Sequence, residues 1–110
     1  MERLSDLILK ARRNLKKLHL RNITLKLADG TLGWETHAPF NCLVVAAAGP
    51  KIPEPYLRQL GEGGRMVLPV GSETKQELIL VRKQAGRIHT QVLEDCRFVK
   101  LKGKNGFEVG

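Results

Sequence analysis

Apolar residues near the N-terminus recur at steps of three and four positions, with basic side chains between them. This spacing places them on one stripe of a helix, whose members are Leu4, Leu7, Ile8, Ala11, Leu15 and Leu18. Ser5 is a suitable N-cap, and Asp6 in the first turn complements the positive end of the helix dipole. The pattern predicts a helix over residues 5–18 that ends near residues 19–22.

The segments after this helix show two different strand patterns. Residues 23–27 alternate between apolar and polar side chains, which predicts a short strand with one buried face. Residues 42–48 are continuously apolar, which is typical of a strand covered on both faces in a parallel sheet. Between these strands, we expect residues 31–40 to form a loop or a short helical turn.

The second half of the chain predicts one short helix followed by strands. In chain order these are a helix at residues 54–60 and strands at residues 65–70, 77–83 and 88–93. Pro55 suits the first helical turn, the glycine-rich residues 61–64 connect the helix to its strand, and residues 84–87 form a loop of hairpin length. Residues 97–101 are a candidate extension of that hairpin. The order predicts an α/β fold with a mostly parallel sheet and a C-terminal antiparallel hairpin.

The net charge of +8 over 110 residues lies mainly at the two ends of the chain. Residues 1–26 hold eight basic and two acidic side chains, and residues 76–110 hold seven and four. Nucleic-acid binding is one explanation of such basic ends. We favour the alternative, in which a solvated helix face and a basic tail carry the charge.

The chain offers no sign of a membrane or secretory role. No apolar stretch reaches the length of a membrane span, and residues 1–10 contain no continuous apolar block of the kind found in signal peptides. Cys42 and Cys96 form neither a CxxC motif nor a disulfide framework. We therefore expect a cytoplasmic protein with reduced thiols and no membrane partner.

Two carboxylates stand where an α/β sheet would bind a ligand. Asp29-Gly30 follows the predicted strand at residues 23–27, and ligands of open sheets bind beyond the carboxyl ends of strands. The carboxylate can accept a hydrogen bond from an exocyclic amine, and glycine lets a flat ring approach the backbone. Glu2 would bind ribose hydroxyls if a strand ended there. The alternatives are a plain Asp-Gly turn and a solvated acid before a helix.

Other candidate chemistry is weaker. The glycines at residues 61–64 lead into a strand, whereas a phosphate-binding loop opens a helix. The three histidines, His19, His37 and His89, lack metal-ligand spacing and are expected on the surface. Cys42 is expected to be an inert core thiol because apolar surroundings raise a thiol pKa. The sequence therefore designates no metal site and leaves the catalytic residues unknown.

Two longer motifs connect these observations to a known family. Residues 28–34 read ADGTLGW and residues 63–71 read GGRMVLPVG. Together with shorter blocks between residue 2 and about residue 101, they resemble protein-L-isoaspartate O-methyltransferases. The chain departs from the family pattern at Asn41, Ala46 and Lys100, where the family usually has Asp, Thr or Gly, and Pro.

The resemblance implies a fold, a reaction and a ligand. It implies the C-terminal part of a class I, Rossmann-like methyltransferase domain over residues 1–101, with residues 102–110 as a flexible basic tail. The implied activity is methyl transfer from S-adenosylmethionine to isoaspartyl carboxyls of damaged proteins, a repair reaction. By resemblance, Glu2 holds the ribose of this cofactor, while Asp29 and Gly30 recognise its adenine.

The family's first strand, glycine-rich loop and substrate-binding segment have no counterpart before Glu2. The resemblance led us to expect the absent strand between the strand ending at Glu2 and the one at residues 23–27. We therefore expect a fragment that is inactive by itself and that folds poorly or self-associates. The alternatives are a basic nucleic-acid-binding protein and a non-catalytic interaction domain.

Overall fold

The computed structural model describes residues 1–109 and divides into two compact units, Met1–Gly30 and a larger unit that begins at Thr31. The first unit contains helix α1, Ser5–Lys17. Its N-cap is Leu4, and no side chain caps it, so the predicted Ser5 cap is wrong. Ile8 is buried, whereas Leu4 and Leu7 of the predicted stripe remain exposed. The helical periodicity is confirmed, although the expected apolar stripe is largely uncovered.

The predicted strand at residues 23–27 is absent and is replaced by a single parallel bridge between Glu2 and Leu27. The Glu2 N–H donates to the Lys26 carbonyl at 3.0 Å, and the Ala28 N–H donates to the Glu2 carbonyl at 3.0 Å. The two segments are therefore directly hydrogen-bonded. Our expectation of another strand between them is wrong.

The larger unit is built on a four-stranded sheet in the order β1-β2-β3-β4. In chain order its elements are β1 (Phe40–Val44), α2 (Glu54–Gln59), β2 (Leu60–Gly71), β3 (Gln76–Gln84) and β4 (Arg87–Cys96). β1 and β2 are parallel and α2 connects them, whereas the β2–β3 and β3–β4 pairs are antiparallel. The predicted α/β class and C-terminal hairpin are confirmed. Two 3-10 turns, Gly30–Leu32 and Glu35–His37, match the loop or short helical turn expected for residues 31–40.

The core lies on one face of this sheet, beneath α2. Its buried members are Tyr56, Leu60, Met66, Leu68 and Val81. In β1, Leu43 packs against this core while Val44 is 77% exposed. A strand covered on both faces was therefore the wrong expectation for residues 42–48. Within the described chain, β1 pairs in the sheet with β2 alone and has no layer over its second face.

The glycine-rich segment belongs to β2 and forms a large bulge. Phe40 pairs with Leu60 but Cys42 pairs with Arg65, so Gly61–Gly64 of β2 loop out against a single residue of β1. Gly63 adopts a φ of 76°, which side-chain-bearing residues rarely tolerate. These glycines therefore shape a strand, rather than the helix-to-strand connection that we expected.

The β3–β4 hairpin turns through two residues in the left-handed region, Ala85 with φ 50° and Gly86 with φ 70°. Positive φ at both positions is the signature of a tight turn whose twist suits antiparallel strands. The Glu62 carboxylate accepts hydrogen bonds from both turn amides. The predicted hairpin loop is confirmed, and the contact from Glu62 was not foreseen.

Residues 97–101 do not extend the hairpin. Lys100 instead forms a parallel bridge with Ala48. The Ala48 N–H donates to the Val99 carbonyl, and the Ala48 carbonyl accepts from the Leu101 N–H, each at 2.7 Å. Farther along, the Asn105 N–H donates to the Thr31 hydroxyl at 3.0 Å. The domain boundary after residue 101 stays a prediction.

Over residues 1–109, no helix combines the length and the apolar character that crossing a membrane would require.

Candidate functional site

Glu2 has a carboxylate with one oxygen held firmly by the backbone. Its Oε1 accepts from the Arg3 N–H at 2.9 Å and from the Leu4 N–H at 3.0 Å. These amides lie just before α1, where the helix dipole also favours negative charge. Glu2 thus binds the two amides that precede the helix, and it does not cap the helix itself. Its Oε2 has no hydrogen-bond partner within residues 1–109 and can accept from a ligand.

Asp29 lies at the same end of the bridged segments as Glu2. Leu27 is the parallel partner of Glu2, and Asp29 follows Leu27 by two positions. Both acidic residues are half-buried, and Asp29 already takes part in a polar interaction. The bridge therefore places Asp29 two residues beyond the partner of Glu2, although the two acidic residues are 27 positions apart in the sequence.

The surroundings of Gly30 would accommodate a side chain. A Cβ added there would have Met1 Cβ, at 4.0 Å, as its nearest neighbour, and the φ of Gly30 is not in the left-handed region. Neither crowding nor backbone conformation therefore requires glycine at this position.

The other candidates named below, His37, His89 and Cys42, belong to the larger unit. His37 contacts the Trp34 ring with a centroid distance of 3.9 Å, and His89 lies exposed on β4. Across residues 1–109, no three His, Cys, Asp or Glu side chains gather as metal ligands. Cys42 is exposed on the uncovered face of β1, so its assignment to the core is wrong.

Cys96 follows two acidic residues at the end of β4. Burial raises the pKa of the Cys96 thiol, and the neighbouring carboxylates of Glu94 and Asp95 raise it further. A raised thiol pKa reduces the fraction of nucleophilic thiolate at neutral pH. Cys96 is therefore a poor candidate for covalent chemistry.

Gln59 is a structural residue that the sequence did not reveal. It is buried, its Oε1 accepts from the Trp34 N–H at 2.9 Å, and its Nε2 donates to the Leu32 carbonyl at 3.0 Å. It therefore holds the loop that follows Gly30 in the chain. Gly33 makes this contact possible, because a Cβ there would overlap the Gln59 amide. Nothing in the local sequence separates Gln59 from a solvated helix residue.

Comparison with known proteins identifies relatives of the whole described chain. Residues 1–106 match the family described as Protein-L-isoaspartate(D-aspartate) O-methyltransferase (PCMT). A protein-L-isoaspartate O-methyltransferase of Geobacter metallireducens is 45% identical over 108 residues, and one of Syntrophobacter fumaroxidans is 50% identical over 109 residues. These matches include 97% and 98% of this chain but only 50% of each relative. It thus spans about half the length of these relatives.

Solved structures agree with this relationship. A structure titled protein-L-isoaspartate O-methyltransferase aligns with a TM-score of 0.85 and 25% identity, over 94% of this chain and 33% of that one. A Plasmodium falciparum structure, titled a putative enzyme of the same name in complex with S-adenosyl-L-homocysteine, aligns with a TM-score of 0.79 and 26% identity. That match covers 92% of this chain and 50% of the other. The fold is therefore that of a partial Rossmann-like methyltransferase.

Proposed function

This chain belongs to the protein-L-isoaspartate(D-aspartate) O-methyltransferase family, and we propose that it supplies the nucleoside-binding part of an isoaspartyl-repair methyltransferase. The cofactor is S-adenosylmethionine, and the substrates are proteins that contain isoaspartyl residues. The remainder of the active site, including the glycine-rich loop, comes from sequence that the relatives have outside the matched half.

The observation that carries this proposal is the bridge between Glu2 and Leu27, which aligns Glu2 and Asp29 at one end of two parallel segments. Carboxylates at such ends hold ribose hydroxyls in nucleotide-binding sheets. Glu2 is suited to this role because backbone amides fix Oε1 while Oε2 keeps its acceptor capacity. Asp29 would accept from the exocyclic amine of adenine, and Gly30 would leave room for the ring.

The chemistry of methyl transfer explains why positioning matters. Bound S-adenosylmethionine would supply an electrophilic methyl group on a sulfonium. The isoaspartyl carboxylate is its own nucleophile, so the reaction needs alignment more than it needs a protein base. Alignment alone can lower the activation barrier by roughly 7–11 kcal/mol. Glu2 and Asp29 contribute by fixing the nucleoside end of the donor, and we assign no catalytic residue in this chain.

We also propose that the protein acts in the cytoplasm. Cys42 and Cys96 are both free, which fits a compartment that keeps thiols reduced.

A chimeric enzyme tests the proposed function. The matched half of the Geobacter metallireducens relative is replaced by this chain, and radiolabelled methyl transfer to an isoaspartyl peptide is measured. We expect activity in the chimera, and none from the 110-residue chain alone, because half of a cofactor cleft cannot align donor and acceptor. Transfer to the matching aspartyl peptide provides the substrate control.

Substitutions in that chimera test the nucleoside site. A hydrogen bond to a charged group contributes about 1.5–3 kcal/mol, so Glu2→Gln and Asp29→Asn should each lower kcat/KM by about 10- to 150-fold, mainly by raising the KM for S-adenosylmethionine. Glu35→Gln, at an exposed acid outside the site, is the matched control and should behave as the parent chimera. Equal kinetics for Glu2→Gln and Glu35→Gln would refute the assignment.

A further inference from the structure

The last turn of the described chain contains a chemically labile pair of residues. Asn105 is followed by glycine, whereas the other three asparagines precede Leu15, Ile23 and Cys42. A backbone nitrogen can attack the side-chain amide of the asparagine before it. Glycine leaves this attack unhindered, because it has no side chain and a permissive backbone. By its sequence, Asn105 is therefore the asparagine of this chain that is most open to deamidation.

Deamidation is an intramolecular substitution that consumes only water. The Gly106 nitrogen forms a bond to the Asn105 Cγ while the bond from Cγ to Nδ2 breaks, so ammonia leaves with the proton of the Gly106 N–H. The product is a succinimide, and water opens it at either carbonyl. Opening gives an aspartate or an isoaspartate, in which the backbone continues through the side-chain carbon. The modification replaces a neutral amide with a carboxylate.

The structure engages both reacting groups in other contacts. The Gly106 N–H donates to the Gly103 carbonyl at 3.1 Å, which closes a turn around Asn105. The Asn105 Nδ2 donates to the Thr31 carbonyl at 3.3 Å, and the Asn105 N–H donates to the Thr31 hydroxyl at 3.0 Å. Thr31 is fully buried, so these bonds tie Asn105 to the interior of the larger unit. Attack requires both groups to leave these partners, so the folded segment should react slowly.

The fold also requires the two residue types that make the pair labile. A Cβ at Gly106 would overlap the Leu101 carbonyl oxygen, so a side chain does not fit there. At position 105, asparagine supplies a side-chain donor for the Thr31 carbonyl, which a carboxylate lacks. The hydrogen bonds that protect the pair therefore depend on its own reactive residues.

We propose that Asn105-Gly106 is a deamidation site that the fold keeps closed, and that it reacts when residues 102–107 detach from Thr31. A bridge between Lys102 and Phe107 closes this segment. After reaction the segment cannot return to its place. An aspartate at position 105 would set an acceptor against the Thr31 carbonyl, and an isoaspartate would lengthen the backbone within the turn. Deamidation thus makes a transient opening permanent.

Mass spectrometry of proteolytic peptides tests this proposal with the 110-residue chain. The chain is incubated in mildly alkaline buffer with or without guanidinium chloride, and its digests are compared with synthetic peptides that carry Asn, Asp or isoaspartate at position 105. We expect conversion of Asn105 to be at least about tenfold faster in the denaturant, because only opened molecules react. Asn14, Asn22 and Asn41 in the same digests should stay largely unconverted.

A matched pair of substitutions tests the protecting contact. Thr31→Val keeps the shape of the side chain and removes the hydroxyl that accepts from Asn105, so the rate in the folded chain should rise about two- to tenfold. Thr90→Val makes the same change at an exposed residue of β4 and should react like the parent. In guanidinium chloride all three chains should react at the same rate, since residues 105 and 106 are unchanged.

Three outcomes would overturn the proposal. These are equal rates for the parent chain with and without denaturant, equal rates for folded Thr31→Val and Thr90→Val, and faster conversion at another asparagine than at Asn105. The comparison within the parent chain does not require Thr31→Val to fold. None of these readouts depends on methyl transfer.

Discussion

Glu2 illustrates how a carboxylate can bind the backbone just before a helix that has no side-chain cap. The sequence rules favour Ser5, because serine directly before a helical stripe is a common N-cap. The helix begins at Ser5 itself, and the carboxylate of Glu2 accepts from the two preceding amides. The two carboxylates that we propose as ligand groups could be singled out from the sequence because family motifs surround them. Their pairing through Leu27 could not, since it depends on a contact between distant residues.

Two glycines near the site should respond differently to an added methyl group. Gly30→Ala meets open space and should change the free energy of unfolding by less than about 0.5 kcal/mol. Gly33→Ala combines a φ of 68° with overlap on the Gln59 amide, so it should cost roughly 1–3 kcal/mol. Urea denaturation of both variants measures this difference, and equal losses of stability would contradict it.

The Gly30→Ala variant also tests the ligand assignment. A methyl group there would occupy the space that we assign to adenine, so S-adenosylhomocysteine should bind at least several-fold more weakly although folding is unchanged. Titration calorimetry on the chimeric enzyme measures this effect. An unchanged dissociation constant would remove Gly30 from the site.

The Cys96 thiol should alkylate at higher pH than an ordinary thiol. Below its pKa a thiol is mainly protonated and slow to react, so the raised pKa of Cys96 shifts its reactive range toward higher pH. In the Cys42→Ser variant, Cys96 should therefore react with iodoacetamide more slowly at pH 8 than N-acetylcysteine does. Rates measured from pH 7 to pH 10 check the direction of the shift. A Cys96 rate that rises at lower pH than the rate of N-acetylcysteine would contradict it.

At the level of elements, local sequence patterns predicted correctly those elements whose contacts are between residues close together in the sequence. The β3–β4 hairpin follows from alternation and a glycine-containing turn, and α2 follows from Pro55 and the glycines after it. The failures involve residues 23–27 and the uncovered face of β1. Both segments have the apolar content of sheet strands, but the layers that would cover them are not among residues 1–109. An apolar pattern shows which surface of an element must be covered, but it does not show which segment covers it.

Helix α2 is short, and a distant lysine stabilises its end. The Lys83 Nζ donates to the Leu57 carbonyl at 3.1 Å and to the Leu60 carbonyl at 2.9 Å. Carbonyls at a helix end need such partners, and charged donors contribute about 1.5–3 kcal/mol each in favourable cases. Because Lys83 is only half-buried, we expect Lys83→Met to lower the free energy of unfolding by about 1–2 kcal/mol. Arg82→Met, its exposed neighbour, is the control for urea denaturation and should lose less.

At the level of the whole molecule, the two units differ in how much core they possess. The larger unit buries a contiguous cluster around Met66 and Val81, whereas α1 buries Ile8 and exposes most of its leucines. A segment of 30 residues cannot bury enough apolar surface to fold stably alone. The expectation that the chain folds poorly or self-associates therefore applies most strongly to the first unit.

Hydrogen exchange should resolve this difference. Amides of α1 should exchange at least about 100-fold faster than those of β2 and β3, because local opening costs little where few apolar contacts are lost. Exchange measured by NMR across a range of protein concentrations separates folding from association. Uniform protection at all concentrations would show that the units unfold together.

The hydrogen bonds between Thr31 and Asn105 join positions 74 residues apart. During synthesis, Thr31 leaves the ribosome long before its partner has been translated. The larger unit can therefore gain these hydrogen bonds only after Asn105 has been translated. Until then, the segment that begins at Thr31 would be accessible to chaperones and proteases, and it should become protected once Asn105 has left the ribosome.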